Sequence, residues 1–186
     1  MTGKIFIISA PSGTGKTTIE NRLKNEIPEL VDGISYTTRK PRQEEKNGID
    51  YYFVTKKKFK NMIVNNVFAE WAIVYGNYYG TTKDFIKEKL RENKKILLTL
   101  DTQGATNIKK IYPQSVLIGI LPPSLKEQEK RMRERSGITE QEVKKRLESA
   151  KEEKKILFKK YDYRLINKHL ESTIEKIKKI LGSGLE

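Results

Sequence analysis

Ten residues set the strongest limit on what this chain can fold into: Ser9-Ala10-Pro11-Ser12-Gly13-Thr14-Gly15-Lys16-Thr17-Thr18. Before them, Lys4-Ile5-Phe6-Ile7-Ile8-Ser9 is apolar and β-branched, which reads as a strand buried on both faces. After them, Ile19, Leu23 and Ile27 recur near helical spacing over Thr17 to Glu26. Strand, glycine-rich turn and helix in that order match G-x-x-x-x-G-K-[ST], with Ala10 in place of the first Gly. Gly13 and Gly15 let backbone N–H groups turn inward around an anion, and the helix adds its positive dipole end. Lys16 supplies a point charge for β and γ phosphates, and the Thr17 hydroxyl can ligate Mg²⁺. Ala10 needs only an ordinary backbone conformation, so this phosphate-binding P-loop keeps its logic.

Further buried strands read at Lys95 to Leu100, Ser115 to Leu121 and around Tyr163 to Ile166, with helical segments between or after them. Alternating strands and helices predict a three-layer α/β fold of the P-loop NTPase type with a central, mainly parallel sheet. Ser124-Leu125-Lys126-Glu127 and Thr139-Glu140-Gln141-Glu142 fit capping boxes, so helices are predicted to start there, the second long and highly charged. Between Ile34 and Thr82 the texture changes to aromatics, Thr, Gly and Asn, with short strands expected at Tyr51 to Val54 and Ala69 to Tyr75. That stretch reads as an inserted α+β subdomain. It holds Tyr51, Tyr52, Tyr75, Tyr78 and Tyr79, phenols that usually pack but beside arginines can also hold phosphate. The expected division is a P-loop core at 1–33, 83–124 and 161–181, the insertion at 34–82, a helical lid with its following helix at 125–160, and a tail at 182–186. The tail, Gly182-Ser183-Gly184-Leu185-Glu186, reads as a linker or expression scar.

A length of 186 residues suits one domain with small insertions. The longest apolar runs are far short of the roughly 20 residues a membrane helix needs, so no membrane association is expected. The N-terminus lacks the sections of a secretory signal, and there is no cysteine for a disulfide framework, so a reducing, cytoplasmic setting is expected. A net charge of +14 would suit a nucleic-acid partner. Its 29 lysines against 9 arginines are scattered rather than clustered, however, and read as a solvated surface with no nucleic acid bound. In such a lysine-rich chain, Ser35-Tyr36-Thr37-Thr38-Arg39-Lys40-Pro41-Arg42 places two arginines three apart around a proline, as a bidentate grip on phosphate requires.

Together with the P-loop and this stretch, Gly48-Ile49-Asp50-Tyr51, Glu70-Trp71, Gly76-Asn77-Tyr78-Tyr79-Gly80-Thr81 and Asp101-Thr102-Gln103-Gly104 closely resemble the guanylate kinase family, from about Gly3 to Leu181. The resemblance implies transfer of the ATP γ-phosphoryl group to GMP with Mg²⁺ as cofactor. It implies that ATP is held by Ser12, Gly13, Thr14, Gly15, Lys16, Thr17, Thr18, Arg131, Arg135 and Asn167, with Thr17 on the metal. Ser35, Arg39, Arg42, Tyr51 and Tyr79 would bind the GMP phosphate, while Glu70, Thr81 and Asp101 would read the guanine edge. Lys16, Arg39, Arg135 and Arg146 would carry catalysis. ATP and GMP are the expected partners of a monomer or homodimer.

Two departures from the family pattern are visible. Thr99-Leu100-Asp101 stands where many members read Asp-Ile-Asp, and Lys168 where an acidic residue often follows the Asn. A phosphopeptide-binding module of similar sequence is the competing reading, but such modules tend to have degraded P-loops. Here Gly13, Gly15, Lys16 and Thr17 are intact.

Overall fold

The computed structural model describes residues 3–134 and 138–183. Among the described residues nine strands and seven helices follow one another in this order: β1 (Lys4–Ser9), α1 (Lys16–Glu26), β2 (Leu30–Asp32), β3 (Tyr36–Thr37), β4 (Tyr52–Phe53), α2 (Lys56–Val64), β5 (Phe68–Val74), β6 (Asn77–Thr82), α3 (Lys83–Arg91), β7 (Lys95–Thr99), α4 (Thr102–Ile111), β8 (Val116–Leu121), α5 (Leu125–Arg133), α6 (Glu140–Lys160), β9 (Tyr163–Ile166) and α7 (Leu170–Ser183). A five-stranded sheet runs β2-β7-β1-β8-β9, and its β2–β7, β1–β8 and β8–β9 pairings are parallel. The expected mixed α/β architecture with a mainly parallel sheet is what the chain adopts.

Contacts divide the chain into two compact units, Met1–Ile5 with Glu29–Ser115, and Phe6–Pro28 with Val116–Glu186. In the first, a four-stranded sheet of order β4-β3-β6-β5 accounts for the aromatic and threonine-rich texture of the insertion. Phe59 and Phe68 stack in its core with centroids 4.4 Å apart, and Tyr36 stacks on Tyr52 at 4.7 Å. Strand β5 carries a bulge between Phe68 and Glu70, and Phe68, Ala69 and Glu70 are buried in succession, a break in alternation that coincides with the bulge. Helix α4 starts where Asp101 accepts N–H bonds from Gln103 (2.7 Å) and Gly104 (2.8 Å).

In the second unit, β8 is buried along nearly its whole length, and α7 turns Ile174, Ile177, Ile180 and Leu181 inward. Ser124 caps α5 by accepting from the Glu127 N–H at 3.1 Å. The box is complete at α6, where Thr139 accepts from the Glu142 N–H and Glu142 accepts from the Thr139 N–H at 3.0 Å. Helices α5 and α6 pack together, with Met132 and Val143 fully buried. Helix α7 includes Gly182 and Ser183, so the first two residues of the expected tail are helical; 184–186 lie outside the described residues. Among the described residues, no helix is long and apolar enough to cross a membrane.

Candidate functional site

In the second unit the turn between β1 and α1 is built by backbone geometry. Gly13 (φ 81°) and Gly15 (φ 94°) occupy the left-handed region that side chains avoid. Space imposes a second constraint at Gly13, since a Cβ there would lie 2.7 Å from the Gln128 carbonyl oxygen and 2.9 Å from Met132 Cγ. Two distant side chains then pin the loop. Gln128 Nε2 donates to the Ser12 carbonyl at 2.8 Å, and Asn167 Nδ2 donates to the Thr14 carbonyl at 2.8 Å. Thr173 on α7 reaches Asn167 Oδ1 at 3.2 Å, so both ends of that amide are engaged within the fold.

No side chain caps α1, and its first turn has no acidic residue. By contrast α2, α4, α5 and α6 have side-chain caps, and α3, which lacks one, carries Asp84 in its first turn. The leading amides of α1 thus keep their donors for an anion. Lys16 opens the helix half-buried, and Thr17 and Thr18 are exposed. The hydroxyls of Ser9 and Thr14 are buried without a partner.

Of the expected lid arginines, Arg131 bonds Glu127 one turn back at 2.8 Å. Arg146 lies half-buried on α6. Its charge helps hold the Glu142 carboxyl below its usual range, behind the larger contributions of the Thr139 N–H and hydroxyl. Arg135 lies outside the described residues.

In the first unit, side chains make the site. Glu70 on β5 is 5 % exposed and accepts the Thr81 N–H at 3.1 Å. Thr81, fully buried on β6, has its hydroxyl 3.4 Å from that of Ser35. Gly104 makes room for the carboxyl, since a Cβ there would lie 2.6 Å from Glu70 Oε2. Burial, and then the Asp101 charge, push the Glu70 carboxyl up to about 8 against the opposing bonds from Thr81. Four of the expected GMP residues, Ser35, Glu70, Thr81 and Asp101, therefore form one polar cluster.

The others gather at a neighbouring station. Arg39 donates to Glu45 Oε1 at 2.7 Å and lies over the Tyr51 ring, 5.4 Å from its centroid. The Tyr51 and Tyr79 rings meet edge-on at 5.9 Å. Burial works to lower the Arg39 guanidinium, but Glu45 and Tyr79 outweigh it and hold it above its ordinary value. Arg42 is exposed at its tip, while its N–H donates to Glu45 Oε2 at 2.8 Å. Glu45 was not among the expected site residues; its only signal is an acid three places after Arg42. The clasp roles of Gln128 and Asn167 also have no local signature, because their partners are 116 and 153 residues away.

Residues 2–184 match the family model described as guanylate kinase. Among curated relatives, the guanylate kinase of Koribacter versatilis is 43 % identical over 184 residues, covering 97 % of this chain and 78 % of its own. That of Caldanaerobacter subterraneus is 42 % identical over 179 residues, covering 96 % and 86 %. The crystal structure of guanylate kinase from Anaplasma phagocytophilum superposes with a TM-score of 0.82 at 31 % identity, covering 98 % of this chain and 86 % of that one.

Proposed function

This chain belongs to the guanylate kinase family and is an ATP:GMP phosphotransferase, and from that premise we propose that its second unit takes ATP while its first takes GMP. The observation that carries the assignment is the buried Glu70 carboxyl seated over Gly104 beside Asp101 and Thr81. A carboxylate is an acceptor when ionised, and guanine offers two donors on one edge, N1–H and the 2-amino group. The Thr81 hydroxyl adapts to O6 or a ring nitrogen. Ser35, Arg39, Arg42, Tyr51 and Tyr79 hold the GMP phosphate, with Glu45 keeping the two arginines in place until it arrives. Residues 34–82 and the lid at 125–160 are the parts that close over substrates and exclude water.

Phosphoryl transfer asks for alignment and charge neutralisation, because two bound polyanions repel and the migrating group needs no covalent help. The P-loop amides with Ser12, Gly13, Thr14, Gly15, Lys16, Thr17 and Thr18 take the ATP phosphates. Arg131, Arg135 and Arg146 compensate charge from the lid, and Arg39 does so from the GMP side. Asn167 fixes the Thr14 carbonyl with one amide hydrogen and keeps the other for the ATP side.

Among the described residues, no group of three or more His, Cys, Asp or Glu is placed to hold a metal ion. The donor set fits Mg²⁺ carried by nucleotide phosphates, with the exposed Thr17 hydroxyl as the protein's oxygen ligand. When bound, that ion neutralises charge on the β and γ phosphates. The cytoplasm is the compartment this reading assigns, with the enzyme working as monomer or homodimer. ADP production measured with and without GMP tests the reading: release that requires GMP is expected, and GMP-independent hydrolysis or none at all would sink it.

A further inference from the structure

The second unit contains a cavity of about 600 Å³ that none of the described residues assigned to ATP lines. Its size falls in the range of small-ligand pockets, roughly 300–1,000 Å³. Pro122, Leu125, Ala150 and Phe158 supply its apolar lining, and the exposed Lys151, Lys154, Lys155 and Lys159 supply its charged edge. The lysines and Phe158 recur at three- and four-residue steps, which places them on one face of α6. Leu125 and Phe158 are large apolar side chains that are more than half exposed. Among the described residues, no acidic residue lines the cavity. Lys155 does pair with Glu152 at 2.7 Å, but both are largely exposed, so the pair screens little of the edge's charge.

The lining also limits what can bind. Ser124 and Gln128 are the only uncharged polar side chains among the described lining residues, and each already gives one contact to the fold, at the α5 cap and at the Ser12 carbonyl, which leaves little to read a nucleobase or sugar. A polar ligand would leave its own groups unpaired against proline, leucine and phenylalanine, which is costly. An apolar body of modest length ending in one anionic group satisfies both the apolar lining and the charged edge.

The geometry points to a second ligand site on this enzyme, for a monomeric anionic amphiphile such as a medium-chain carboxylate. Pro11 and Gln128 line the same cavity, and Gln128 holds the Ser12 carbonyl of the P-loop. Resting on the reading of that loop as the ATP site, occupancy shifts ATP affinity, and ATP shifts amphiphile affinity by the same factor.

The test is calorimetric titration of the full chain with decanoate, with decyltrimethylammonium as a charge control and phosphatidylglycerol vesicles as a separate arm. Saturable one-site binding of decanoate is expected, with affinity about tenfold weaker in the double variant Lys151→Glu, Lys154→Glu. The ATP Kd should change by about fivefold at saturating decanoate. Equal binding of the cationic amphiphile, unchanged affinity in the lysine variant, or binding to vesicles alone would overturn the site. Decanoate binding with an unaltered ATP Kd would overturn the coupling, whereas failure to bind ATP at all would count against the P-loop assignment instead.

Discussion

The two halves of this enzyme's chemistry are built from different materials. The P-loop is made of main chain: two glycines at positive φ, an uncapped helix start and two carbonyls pinned by remote amides. The station proposed for guanine is made of side chains, with a buried carboxyl, a buried threonine hydroxyl and a serine hydroxyl from three strands or their flanks. Main-chain donors all look alike, so they recognise charge and shape and cannot distinguish a purine. Discrimination is left to the half where donors and acceptors differ atom by atom.

The largest effect expected from this division is base selection. Sites that hydrogen-bond a substrate group reject analogues lacking it by about 10⁴–10⁵. GMP should exceed AMP in kcat/KM by that order, and Glu70→Gln should narrow the gap while leaving the ATP KM unchanged. Equal kcat/KM for the two nucleotides in the parent enzyme would erase the distinction between the halves.

Next comes Lys16→Ala, which should lower kcat on the order of 10²–10³ with little change in GMP binding, because its charge matters where phosphoryl negative charge crowds. A variant keeping half its turnover would remove Lys16 from the P-loop role.

A third comparison uses protons. In the free enzyme the Glu70 carboxyl lies at about 8, raised first by burial and then by Asp101. Guanine's donors favour the ionised form, so GMP affinity should fall by up to about tenfold for each pH unit below 8, and Glu70→Gln should flatten that dependence. Stability should move the other way. The unfolded carboxyl ionises near its ordinary 4.5 while the folded one stays protonated, so this group's stabilising contribution declines as pH rises from there to about 8. Isothermal titration with GMP between about pH 7 and 9 and a thermal melt series separate the two trends.

The smallest effect lies on the main-chain side. Asn167→Ala removes the Thr14 clasp and should cost about 1–3 kcal/mol of stability, read as a Tm drop of several degrees, while the GMP-to-AMP ratio is retained.

The same contrast explains what could be read from the residues in order. Strands β1 and β9 stand at their expected limits, and α5 and α6 start at the expected caps, because each depends on a contiguous pattern or local chemistry. Strand β4 (Tyr52–Phe53) falls inside the expected Tyr51 to Val54, whereas β3 is only two residues long and is held by β4 and β6, which no local window contains, and β6 (Asn-Tyr-Tyr-Gly-Thr-Thr) has no apolar alternation to announce it. The P-loop was legible for a related reason, since positive-φ glycines and a lysine must be consecutive there. The polar cluster was expected only through family resemblance. Its members come from Ser35, Glu70, Thr81 and Asp101, and the bulge and the missing Gly104 Cβ that admit the carboxyl are properties of packing.

The Asn167 clasp also bears on the order in which the polypeptide is made. A ribosome delivers the Thr14 carbonyl 153 residues before the amide that secures it. A contact of such long separation forms late, after the intervening chain has emerged. A nascent chain therefore carries a complete glycine-rich motif well before it carries a finished nucleotide pocket, and any product terminated ahead of Asn167 would lack that restraint on the loop.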